Sequence, residues 1–163
     1  MIKPIETIYK GRRFRSRLEA RWAVYFDVVG IKWEYEKEGY NLGDGIFYLP
    51  DFWLPQASMW AEVKGRELTE IEIEKIKRLV NGTDYPCLVL VGPPEIKVYY
   101  ATLPEEWEDG FLNDFALTNY HGYLDDENRF YSCPGSDEDC GFPDVIRGVL
   151  AARSARFEHG ERG

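Results

Sequence analysis

The stretch Tyr48 to Gly65, YLPDFWLPQASMWAEVKG, limits the fold more than any other part of the chain. Pro50 and Asp51 close an apolar run, and a second carboxylate, Glu62, stands one residue away from the ammonium of Lys64. Proline cannot donate to a central ladder, so Pro50 marks a strand end. Side chains alternate faces along a strand, so within Ser58–Lys64 the residues Trp60, Glu62 and Lys64 share one face, and Met59, Ala61 and Val63 share the other. The apolar set can anchor in a core while the charged set converges on what Asp51 offers from a neighbouring strand. Two carboxylates and a lysine brought together form a candidate divalent-metal site beside a cation for a phosphate. Phe52, Trp53 and Leu54 would wall that site and lower its dielectric, which strengthens metal–carboxylate attraction.

Helix and strand patterns alternate on either side. Ile5–Tyr9 alternates apolar and polar residues and reads as a short edge strand, followed by the basic run Arg12-Arg13-Phe14-Arg15. Ser16 reads as a helix N-cap, with Leu18, Trp22, Tyr25, Phe26 and Val29 at helical spacing and Gly30 as the stop. Glu19, three residues after Ser16, completes a capping box in which its carboxylate bonds back to the Ser16 amide. Ile31, Trp33 and Tyr35 alternate with Lys32, Glu34 and Glu36, which predicts a half-buried strand; Glu36 could lie near the site, although alternation accounts for it as a solvent-facing residue. Asn41–Gly45 supplies turn residues, and Ile46–Leu49 reads as the second strand of a hairpin.

Beyond Gly65, Thr69 and Glu72 make a second capping box, and Ile73, Ile76, Leu79 and Val80 give the apolar stripe of a helix that ends at Asn81-Gly82. Lys75 and Lys77 could lend a charge to the site or simply form the wet face of that helix. Cys87–Val91 is continuously apolar, as in a strand buried on both faces, and Ile96–Ala101 closes the sheet. From Pro104 to Pro143 acids, glycines and scattered aromatics replace periodicity, which predicts an irregular excursion. His121, Cys133 and Cys140 lie in it but fall short of the four ligands of a structural zinc site. Val145, Ile146, Val149, Leu150 and Phe157 then recur near helical spacing, with Arg147, Arg153 and Arg156 between them. The expected fold is α/β, a single domain over residues 1–163 with a central mixed β-sheet flanked by helices. Its core spans about residues 9–101, its irregular acidic insertion about 104–143 and its C-terminal helix about 144–158.

Charge sets bounds on function. The chain carries a net charge of −9, the wrong sign for a protein lying along a polyanion. Its distribution is uneven: residues 1–32 hold eight Lys/Arg against three acids, so all of the negative excess lies beyond them. A local basic face built from Arg12, Arg13, Arg15, Arg17 and Arg21 can engage phosphates, while the acidic bulk restricts its footprint; the simpler reading is a solvated basic loop. No apolar run approaches a membrane span, the N-terminus MIKPIETIYKGRRF lacks the apolar core of a signal peptide, and three cysteines form no framework. These features point to a cytoplasmic protein without membrane contact.

Pro50-Asp51, Glu62-Val63-Lys64 and the upstream helical Glu19 together resemble the PD-(D/E)xK nuclease superfamily. The resemblance covers about residues 9–101 and, loosely, the tail ARSARFEHGE; the order of motifs is similar to small phage and bacterial members such as Holliday-junction-type and transposon endonucleases. It implies a restriction-endonuclease-like core and metal-dependent hydrolysis of DNA by Glu19, Asp51, Glu62 and Lys64. It also implies Mg²⁺ (or Mn²⁺) held by Asp51 and Glu62 with the Val63 carbonyl, and Glu19 on a second ion or a water. Beside its capping role, Glu19 therefore has a metal role, and both stay open. The expected partner is DNA, branched or structured, with a homodimer or a partner protein needed for paired cuts. A competing class is a non-catalytic acidic protein that mimics nucleic acid and docks a basic protein partner.

Overall fold

A computed structural model describes residues 4–93, 98–101, 120–124, 130–134 and 143–157, with side chains described up to Pro93 and again from Arg147. The chain opens with a hairpin of β1 (Thr7–Tyr9) and β2 (Arg12–Phe14), in which Tyr9 pairs with Arg12. Its two-residue turn, Lys10-Gly11, takes φ of 48° and 74°, the mirror-image turn whose twist matches that of the flanking strands. The basic run of the sequence reading is thus the second strand of this hairpin, and it delivers Phe14 to the core. Helix α1 (Arg17–Val29) follows, opened by the Ser16 hydroxyl and closed by Gly30 at φ 81°.

Strand β3 (Glu34–Tyr35) is shorter than the predicted 31–36 run. The predicted strand at Ile46–Leu49 is β5 (Phe47–Tyr48), but it pairs with β4 (Tyr40–Asn41), which takes in Asn41 of the predicted turn, while β3 pairs elsewhere; this hairpin stands apart from the main sheet. The main sheet takes β3, β6 (Phe52–Leu54), β7 (Met59–Lys64), β8 (Cys87–Val91) and β9 (Val98–Ala101), in that spatial order. It is mixed: β7 and β8 run parallel, with α2 (Glu70–Thr83) as their crossover, and the other pairs are antiparallel. Ile96, the predicted start of the last strand, lies outside the described residues.

Alternation along the strands sorts the core into two halves. Phe52, Leu54, Met59, Ala61, Val63, Leu88 and Leu90 pack with Phe14 and the buried side of α1. Trp53, Trp60, Cys87 and Val89 pack on the other side with Ile76, Leu79 and Val80 of α2. The predicted division of β7 into a Met59/Ala61/Val63 face and a Trp60/Glu62/Lys64 face therefore holds, although Trp60 of the second set is itself buried.

The excursion after Pro104 is not wholly irregular. After Ala101, β10 (Tyr120–Leu124) and β11 (Phe130–Pro134) pair antiparallel, with Tyr123 opposite Tyr131 and His121 opposite Cys133. Aromatic residues at both strands suit a pleated surface and outweigh the turn-rich composition around them. The remainder of that segment, Cys140 included, lies outside the described residues. The last helix, α3 (Pro143–Ser154), packs on α1. At Gly148 a Cβ would meet Val29 Cγ1 at 2.7 Å and Tyr25 Cδ2 at 3.0 Å, so glycine sets how closely the two helices approach. Among the described residues no helix is long and apolar enough to cross a membrane.

Candidate active site

The β6–β7 ladder runs from Leu54–Met59 to Phe52–Ala61, and one step further Asp51 and Glu62 face each other. There side chains take over from backbone pairing. The Val63 amide donates to Asp51 Oδ2 at 2.8 Å, and the Asp51 amide donates to Glu62 Oε2 at 3.3 Å. Pro50, with no amide hydrogen, is suited to the position where the ladder stops. Both carboxylates are buried, Asp51 with 3% and Glu62 with 4% of its surface exposed, which requires partners for their charges.

Two cations supply them. Lys64 Nζ lies 2.8 Å from Glu62 Oε1 and 3.7 Å from Glu72 Oε1. Arg15 spans a second pair, one Nη 2.6 Å from Asp51 Oδ1 and its Nε 2.6 Å from Glu36 Oε1. Glu36 sits at φ 47° with its amide on the Asp51 carbonyl at 2.8 Å.

Glu19, 8% exposed, does more than cap α1. The Ser16 hydroxyl accepts from the Glu19 amide at 3.1 Å, as an N-cap does. The Glu19 carboxylate takes the Ser16 hydroxyl at 2.6 Å, the Arg15 amide at 3.2 Å and the Tyr35 phenol. It is therefore linked to Asp51 through Arg15.

The titration behaviour reflects crowded negative charge. Burial first, and then the charges of Glu62 and Glu19, push the Asp51 carboxyl well above its ordinary range, against the Val63 amide and Arg15. For Lys64, burial works to depress the ammonium, but Glu62 and then Asp51 and Glu72 outweigh it and hold the pKa above the usual lysine value. Burial, followed by Glu62, raises both the Tyr48 phenol and the Cys87 thiol. Tyr35 is raised by burial and then by its bond to Glu19.

A divalent ion fits this donor set. Glu19, Glu36, Asp51 and Glu62 are set against two cations, Arg15 and Lys64, a surplus of two negative charges. The donors are hard oxygens, the type that Mg²⁺ and Mn²⁺ prefer. Asp51 and Glu62 would hold the ion. Among the described residues, no three acidic, histidine or cysteine side chains are already gathered at ligating distance, so Asp51 and Glu62 meet as a pair with Glu19 set back from them.

The five candidate phosphate-contacting arginines have different surroundings. Arg12 lies over the Trp33 ring and donates to the Tyr35 carbonyl, and Arg13 pairs with Glu6 at the surface. Arg15 points into the site. Arg17 and Arg21 line a cleft of about 240 Å³ with Arg156 and Phe157, and Arg21 also caps α3 at the Ala152 and Arg153 carbonyls.

Comparison with protein-family models, with curated proteins and with solved structures finds no match.

Sequence reasoning missed Tyr35, set Glu36 aside as solvent-facing and missed the approach of Glu72 to Lys64. The register could have supplied the first two: Tyr35 pairs with Phe52, so the next residue, Glu36, falls beside Asp51. Glu72 carries no such signal, because its approach to Lys64 depends on where α2 begins.

Proposed function

We propose that this chain is a divalent-cation-dependent deoxyribonuclease with a restriction-endonuclease-like core. One observation carries the reading: Asp51 and Glu62 face each other, buried, where an antiparallel ladder ends, with Lys64 on Glu62. Paired acids on adjacent strands with a lysine two positions on supply what phosphodiester hydrolysis requires, namely anchorage for a cation and positive charge for a phosphate.

Asp51 and Glu62 would bind Mg²⁺ or Mn²⁺, with the Val63 carbonyl on the strand edge that its amide already directs at Asp51. When bound, the ion polarises a phosphoryl oxygen and activates water. Lys64, held protonated by Glu62, orients a phosphate and stabilises the charge that grows on it in the transition state. Its raised pKa makes it a poor general base at neutral pH. Glu19 adds negative potential at Asp51 and fixes Tyr35 and the Arg15 backbone.

The contacts that already engage Arg12, Arg13, Arg15 and Arg21, together with the net charge of −9, favour a small footprint, so structured or branched DNA suits the chain better than a long duplex tract. One such site cuts one strand, so paired cuts would need a second copy or a partner protein. The test is cleavage of plasmid, four-way-junction DNA and RNA with Mg²⁺ or Mn²⁺ by wild type, Asp51→Ala and Lys64→Ala. Wild type is expected to cut DNA, and each variant to lose about 100-fold or more in rate. Equal cutting by the variants would remove the assignment. A chain that never cuts but captures a basic protein would instead be an acidic binding protein.

A further inference from the structure

The ion pair between Arg15 and Asp51 has a geometry that a purely structural bridge does not need. Asp51 Oδ2 is taken from within the sheet by the Val63 amide at 2.8 Å, leaving Oδ1 as the oxygen that Arg15 reaches, at 2.6 Å. The two partners differ sharply in exposure: 55% of the Arg15 side chain is open to solvent against 5% for Asp51. The guanidinium thus enters the buried site from outside. It also has a second anchor, since its Nε bonds to Glu36 Oε1 at 2.6 Å. Release from Asp51 therefore frees Nη2 of a guanidinium that stays tethered through Nε.

Resting on the reading of Asp51 as a cation ligand, we propose that Arg15 is the resting counter-ion of the site. A divalent cation displaces it from Asp51 Oδ1, and the guanidinium, retained by Glu36, then presents its free edge to a substrate phosphate. Two cations cannot share one carboxylate oxygen without strong mutual repulsion. A guanidinium carries five donors in a planar fork, so one edge can hold Glu36 while the other meets phosphate oxygens, which a lysine could not do. The exchange keeps the Asp51 charge compensated before and after the cation arrives, as a buried carboxylate requires. It also separates Arg15 from the other basic residues of the N-terminal segment: Arg12 and Arg13 contact the Tyr35 carbonyl and Glu6 and reach neither acid of the pair.

The test is direct titration of MnCl₂ into the full chain without DNA, followed by electron paramagnetic resonance, for wild type, Arg15→Gln, Arg15→Lys and Asp51→Asn. Removing the competitor should tighten Mn²⁺ binding by about tenfold in Arg15→Gln, within the usual range of coupling between two bound groups. Arg15→Lys, a point charge unable to bridge two acids, should fall between it and wild type. Loss of a merely structural residue would weaken binding instead. If Arg15→Gln binds Mn²⁺ no more tightly than wild type while Asp51→Asn loses it, the exchange is wrong and the cation site stands. If Asp51→Asn binds as wild type does, the cation site itself falls. A second readout needs no variant: the Arg15 side-chain N–H resonances should shift on addition of Mg²⁺ to the wild-type chain. Unmoved resonances at saturating Mg²⁺ overturn the proposal even if Arg15→Gln fails to fold.

Discussion

Two helices in this chain begin with the same motif, Ser16-x-x-Glu19 and Thr69-x-x-Glu72, and use it differently. At α2 the box is complete and lies at the surface: the Glu72 amide donates to Thr69 Oγ1 at 3.3 Å, and the Thr69 amide donates to Glu72 Oε2 at 2.8 Å. Burial opposes ionisation of Glu72, yet Arg66 and Thr69 prevail and lower its pKa to about 2. At α1 the serine half is present, but the Glu19 carboxylate turns to Tyr35 and the Arg15 amide and is buried. Two identical spacings thus yield a satisfied surface cap in one place and, beside the end of β6, a buried charge felt at Asp51. What separates them is the tertiary setting: β2 and β3 close over the start of α1, and among the described residues nothing comparable covers the start of α2.

The sharpest way to break this contrast is to neutralise each glutamate in turn. Glu19→Gln is expected to lower Mn²⁺-dependent DNA nicking about 10- to 100-fold, as loss of an outer-shell carboxylate does. Glu72→Gln should leave nicking close to the wild-type rate. Equal losses in a plasmid-nicking assay would show that both glutamates act alike. A second test concerns what holds α1 in place. Gly148→Ala forces a methyl group to 2.7 Å from Val29 Cγ1 and should cost about 1–3 kcal/mol in urea denaturation. An unchanged midpoint would mean that the α1–α3 contact is looser than the structure has it. At the exposed start of α2, Thr69→Ala should cost about 1 kcal/mol and leave nicking intact.

The smallest effect is one of pH. Because the folded-state pKa of Glu72 is depressed to about 2, its stabilising contribution is present above the unfolded carboxylate range and fades as pH falls through about 2. The difference in urea midpoint between wild type and Glu72→Gln should therefore be constant near neutrality and shrink in acid. A difference that grows in acid would reverse the assigned sign.

The legible part of the fold is the part governed by local period. The two faces of Met59–Lys64 were legible from alternation, but the strand that brings Asp51 opposite Glu62 is β6, which begins just after Asp51 in residues read as a wall of the site, whereas the predicted strand ending at Pro50 pairs elsewhere. Both helix starts were legible from local spacing. The partners of the site's charges were not. Arg15 reads as one more basic residue of its segment, and its reach to Asp51 depends on the Lys10-Gly11 turn and on how the β1–β2 hairpin meets α1. Glu36 reads as solvent-facing by alternation, but its place beside Asp51 in the register and its bond to Arg15 put it at the site. Short strands escape for a related reason: two-residue partners such as Tyr40–Asn41 and Phe47–Tyr48 are too brief to show a period.

The central claim is that Asp51 and Glu62 face each other in order to share a cation. Crystals grown in MnCl₂ and measured at the manganese absorption edge address it most directly. The expected map places an anomalous peak between the two carboxylates, with Arg15 withdrawn to Glu36. A map at saturating Mn²⁺ with no peak there, and with Arg15 still on Asp51, would contradict it.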